Sequence, residues 1–106
     1  MTNSNYNGDS YITDTFEDFI AELHYRLSYD PETGELRWKR PRKAQMKPGD
    51  LAGFHRKRLG HRYIKIGKDE YPITHVIWAM SYGYLPARVY RVDRDRSNYR
   101  LQNLQI

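Results

Sequence analysis

Residues 90–104, YRVDRDRSNYRLQNL, bring together the side chains of this 106-residue chain best suited to chemistry. Asp93 and Asp95 are carboxylates two residues apart. They could share a divalent cation, or pair with the charged residues around them. Arg91, Arg94 and Arg96 stand beside them. A guanidinium, with a pKa above about 12, cannot take a proton from water, but it can grip a phosphate through two parallel N–H bonds. Hydrolysis here would need a base from elsewhere, and the available imidazoles are His55, His61 and His75. By position His61 reads as an ordinary strand residue and His75 as a hydrogen-bonded structural residue at a helix start. His24 falls on an N-terminal helix and should face solvent. There is no cysteine, which excludes disulfides, thiolate zinc sites and thiol nucleophiles.

The charge available to a ligand is unevenly placed. The net charge is +5, yet residues 1–35 hold eight acidic groups and one basic, Arg26. Residues 37–68 hold twelve Lys and Arg against one acid, Asp50, and residues 69–106 hold five Arg and four acids. A segment this basic points to a polyanion, nucleic acid above all, with a solvated face as the alternative. The candidate phosphate contacts are Arg37, Lys39, Arg40, Arg42 and Lys43, then Arg56, Lys57 and Arg58 at a loop or hairpin tip, then Arg62, Arg91, Arg94 and Arg96. Such contacts give affinity with little sequence preference and strong salt dependence. Trp38 alternates with Leu36 and reads as core. No recognition helix is apparent, so base-specific readout is not expected.

These residues must be positioned by a small α+β domain over residues 13–106, preceded by a disordered lead-in, 1–12. Phe16, Phe19, Ile20, Leu23 and Leu27 form one apolar stripe, predicting an amphipathic helix capped by Asp14 or Thr15. Asp30-Pro31-Glu32-Thr33-Gly34 is turn chemistry between the alternating segments LSY and ELRWK, predicting an antiparallel hairpin. RYIKI reads as a strand, GKDE as a turn and YPIT as a returning strand. HVIWAMSYG reads as a helix ended by Gly83 and kept from restarting by Pro86. ARVYRVD is a strand candidate, RDRSNY a turn, and LQNLQI a closing turn and short strand. No apolar run approaches the roughly 20 residues of a membrane helix, and MTNSNYNGDS is not a signal peptide. A cytoplasmic protein without a membrane partner is expected; the oligomeric state is not specified.

Four segments in order, LSYDPETGELRWKR, KPGDLAG, YIKIGKDEYPITHVIWAMSYGYLP and VDRDRSNYRLQNL, together resemble the small phage-type HNH endonucleases over roughly residues 27–106. The resemblance implies a ββα-metal finger. In that family the finger begins Ile-Asp-His-Ile-Asn-Gly-Asp. Its Asp helps hold a divalent cation, usually magnesium, on the scissile phosphate, and its His deprotonates water. Carried over by position, that Asp is Tyr90 and that His is Arg91. Asp95, Asn98, Arg100, Asn103 and Leu104 keep the loop and turn pattern, so a structural finger should persist. His75 and Trp78 are retained from the family's His-Arg-Leu-Ala-Trp segment, with Val76 in place of its Arg. The finger's helix would begin after Ile106, so the expected finger lacks its C-terminal helix.

The resemblance therefore implies a frame whose hydrolytic centre has been replaced, with no catalytic residue at the degenerate positions Tyr90 and Arg91 and no metal cofactor. A neutral phenol is a poor magnesium ligand and a guanidinium is no base. The expected function is a catalytically inactive HNH-like phage protein that binds DNA non-specifically, a host DNA-processing protein, or both together, through its basic surface. Two alternatives stand beside it. One is an active endonuclease with a rearranged site, which would use Mg2+. The other is a pure protein–protein inhibitor of a host enzyme.

Overall fold

Asp30 and Gly34 close the first hairpin. In the computed structural model, which describes residues 16–41, 43, 45–58 and 61–106, strands β1 (Leu27–Asp30) and β2 (Glu35–Trp38) pair antiparallel with Leu27 opposite Trp38. The Gly34 amide donates to the Asp30 carbonyl at 2.8 Å, and Gly34 takes φ +82°. The lead-in, both helix-cap candidates and Arg42 lie outside the described residues, as does the side chain of Phe16. Helix α1 (Phe16–Arg26) runs directly into β1. Leu27, read above as the last member of the helical stripe, is the first residue of β1 instead, and is buried there. The hairpin's cross-strand bonds to Trp38 outcompete one more turn of helix.

Residues 49–52 return alongside β2. The Trp38 amide donates to Asp50 and the Ala52 amide to Leu36, at 2.9 and 2.8 Å. A second antiparallel sheet follows, ordered β3–β4–β5: β3 (Phe54–Arg56), β4 (His61–Ile66) and β5 (Asp69–Pro72). Asp69 and Glu70, expected in the turn, belong to β5 and pair with Ile66 and Lys65, leaving a tight turn at Gly67 and Lys68. Helix α2 (Ile73–Tyr82) packs on β4, β5 and α1 and buries Ile73, Val76, Ile77, Trp78 and Ala79. It ends where Gly83, at φ 88°, donates its amide to the Ala79 carbonyl at 2.8 Å.

The core joins these elements through Leu23, Leu27, Leu36, Trp38, Ala52, Ile64, the apolar face of α2, and Leu104. Each fully buried aliphatic side chain contributes roughly 1.5–3 kcal/mol, so α2 is the main support of the fold. The chain closes with β6 (Tyr90–Arg91) and β7 (Leu104–Gln105), which pair antiparallel around the 92–103 loop, with a single 3-10 turn at Leu101–Asn103. The long strand candidate ARVYRVD thus shortens to two residues, because only two residues of β7 are there to pair with it.

Candidate functional site

The 92–103 loop is organised by Asp93. Its Oδ1 accepts from Asn103 Nδ2 (2.9 Å) and from the Asp95 amide (2.8 Å), and its Oδ2 accepts from Asn98 Nδ2 (2.8 Å). The Asp93 amide in turn donates to Asn103 Oδ1 at 2.9 Å. Asp95 Oδ1 accepts from both the amide and the hydroxyl of Ser97, at 2.9 and 2.7 Å. These donors hold both carboxyls below the ordinary carboxylate range. For Asp93 the Asp95 amide is the largest cause, followed by Asn98; for Asp95 it is the Ser97 hydroxyl. The carboxylates therefore satisfy amides and asparagines rather than the arginines that surround them in sequence. Asn103, the buried member, also donates to the Asn98 carbonyl at 3.1 Å.

The first hairpin carries this loop. A Cβ on Gly34 would stand 2.6 Å from the carbonyl carbon of Tyr99, so only glycine lets the two backbones approach. Tyr29 donates its hydroxyl to the Tyr99 carbonyl, Arg100 Nε donates to the Glu32 carbonyl (2.7 Å), and the Leu101 amide donates to Pro31 (3.2 Å). Burial, with help from Asp30, pushes the Tyr29 phenol up to about 12. Of the predicted finger residues, Asp95, Asn98, Arg100 and Asn103 are thus brought together. His75 is not among them. It lies half-buried on α2, its ring nitrogens at long distances (3.4 Å) from Thr74 Oγ1 and the Ala87 carbonyl.

Arg91 sits on β6 opposite Leu104. Its Nη2 donates to the Arg96 carbonyl at 3.1 Å, and its guanidinium lies 4.9 Å from the centre of the Tyr99 ring. Its Nε is buried without an acceptor among the described residues. His61 on β4 lies within reach of its charge. Partial burial, then Arg91, Arg96 and His55, push the His61 imidazole below its ordinary value. A strand histidine and two arginines distant in sequence therefore share one cationic neighbourhood.

Of the remaining predicted contacts, four are committed inside the protein. Arg37 bonds Glu35 and the Gly49 carbonyl; Arg40 bonds the Tyr25 carbonyl and covers the Tyr25 ring at 4.2 Å. Arg56 makes a two-point contact with Glu70, and Arg62 donates to the Ala52 and Gly53 carbonyls. Lys39, Lys43, Lys57, Arg58, Arg94 and Arg96 have exposed side chains without an acidic or hydrogen-bonding partner among the described residues. The β3–β4 hairpin is the shared element. Its tip carries Lys57 and Arg58, and His55 on β3 also lines a cleft of about 440 Å3 with Arg62, Arg96, Gly34, Leu51 and Tyr99. Leu51, His55 and Tyr99 join this cleft with little sequence signature beyond a histidine on each side of the basic hairpin tip. Among the described residues no cluster of three His, Asp or Glu is arranged to hold a metal ion, and no helix is long and apolar enough to cross a membrane.

Compared with known protein families, with curated proteins and with solved structures, the chain matches none.

Proposed function

We propose that this chain is a non-hydrolytic, HNH-like protein that binds DNA through phosphate contacts gathered around the β3–β4 hairpin and the 92–103 loop. The observation that carries the reading is Arg91 at the position of the base, in a loop whose Asp93 carboxylate is engaged by three internal donors. Where the family's general base would stand there is a guanidinium held by the Arg96 carbonyl and the Tyr99 ring. In the same loop the Asp93 carboxylate accepts three N–H donors on its two oxygens. A magnesium ion needs carboxylate lone pairs and an octahedral shell of oxygens. A carboxylate engaged by three internal donors, in a loop that presents Arg91 in place of a base, offers it a poor site.

The backbone supports the HNH-like frame. Arg94 takes φ 64°, the left-handed region that favours glycine, and it occupies the Gly position of the family's Ile-Asp-His-Ile-Asn-Gly-Asp pattern. The six exposed cations without internal partners supply the phosphate contacts. On this reading the protein is a phage product that works in the cytoplasm of a bacterial host.

Two measurements test it together. Duplex DNA should be retained at low salt and released steeply as salt rises. In a pull-down from bacterial lysate, nuclease treatment should remove whatever co-purifies. A host protein that survives nuclease treatment, together with no duplex binding at low salt, would replace this reading with that of a protein inhibitor.

A further inference from the structure

We propose that the cleft walled by the β1–β2 turn, β3–β4 and the 92–103 loop receives one unpaired nucleotide of a single strand. Arg62 and Arg96 would hold its phosphate, and its base would lie against Leu51 and Tyr99. The inference rests on the nucleic-acid reading above and names the strand form that the site prefers. The cleft, about 440 Å3, falls in the range of about 300–1,000 Å3 typical of small-ligand sites. It combines two kinds of wall. One is cationic: Arg62 is fixed by its Nη2 bonds to the Ala52 and Gly53 carbonyls (3.0 and 3.1 Å), leaving its other guanidinium nitrogens without acceptors among the described residues. Arg96 and His55 stand exposed beside it. The other wall is apolar: Leu51 is 53% exposed and Tyr99 is half-buried, over a floor that includes the buried Ile73. The one acid on the rim, Glu35, is paired with Arg37 at 2.9 Å.

A free phosphate would use only the cationic wall. A paired nucleotide can present its phosphate but not its base, because the base is stacked inside the duplex and must first be flipped out. An unpaired nucleotide uses both walls at once. Stacking on apolar and aromatic side chains does not depend on base identity, which suits a surface without a recognition helix.

The test compares a short fluorescent DNA single strand with a closed dumbbell duplex of the same sequence, by anisotropy at physiological salt. The single strand should bind about tenfold more tightly. Leu51→Ser, at an exposed position, should abolish that preference. Arg96→Ala should weaken single-strand binding more than duplex binding. Lys57→Ala/Arg58→Ala should weaken both by the same factor. Equal affinity of the unmodified protein for the two forms overturns the cleft proposal and leaves the DNA-binding reading standing, as does a preference that Leu51→Ser leaves intact. Binding of neither form, at physiological salt and at low salt alike, removes both.

Discussion

Removing Lys57 and Arg58 together should change how binding responds to salt, by an amount the structure sets. Eleven of the predicted phosphate contacts are described; Arg37, Arg40, Arg56, Arg62 and Arg91 are engaged within the protein, and six are not. The counterions released come from the DNA, and a cation paired with a carboxylate, as Arg37 and Arg56 are, displaces few of them; the six cations without a partner among the described residues give the count for a duplex. At about 0.9 counterions per phosphate contact, the slope of log K against log salt should reach about −5, and affinity should fall about a thousandfold between roughly 50 and 200 mM salt. Lys57→Ala/Arg58→Ala should bring the slope to about −3.6 and the loss over the same range to about 150-fold. Arg56→Ala is the matched control. Arg56 is as close to the hairpin tip but is held by Glu70 at 2.5 Å, so its removal should leave the slope nearly unchanged. Anisotropy titrations of duplex DNA at four or five salt concentrations give these slopes directly. If the double variant keeps the slope of the unmodified protein, or if Arg56→Ala shifts it as much, the assignment of free and committed cations is wrong.

Two further predictions concern the loop. The folded state depresses the pKa values of Asp93 and Asp95, so their stabilisation is complete above about pH 4, where free carboxylates ionise, and is lost as pH falls through the lower folded values. Protection of the Val92 and Asn103 amides, taken relative to the intrinsic exchange rate at each pH, should fall only on the acid side of that range; a loss of protection beginning near neutrality would contradict the assignment. Gly34→Ala places a Cβ 2.6 Å from the Tyr99 carbonyl carbon at φ +82°, which costs at least about 1–2 kcal/mol from backbone conformation alone and more from the clash. Urea unfolding should show that loss, and a neutral substitution would mean the hairpin tip does not carry the loop.

The parts of this fold that are legible in the sequence are local. Asp30-Pro31 and Gly34 announce the first hairpin, and the alternation of Leu36 and Trp38 marks its buried face, as the structure has it. Gly83 marks the end of α2 for the same reason: a left-handed residue is needed to close the last turn. What is not legible depends on partners far along the chain. The approach of Gly34 to Tyr99 spans 65 residues and leaves no periodicity to read. The placement of His61 near Arg91 and Arg96 is of the same kind. A count of arginines likewise cannot tell Arg62, whose Nη2 is fixed by two carbonyls, from Arg96, whose side chain has no such bond among the described residues. Asp93 and Asp95 were legible as chemistry-bearing residues, but which donors they satisfy was settled by the fold of the loop.

Incubating supercoiled plasmid with the protein and magnesium or manganese tests the central claim most directly. With Arg91 in place of a base and Asp93 engaged by three loop donors, the plasmid should be bound and retarded but stay supercoiled. Nicking that requires the divalent ion, and that disappears in His61→Ala or Asp93→Ala, would show that this site hydrolyses phosphodiesters after all.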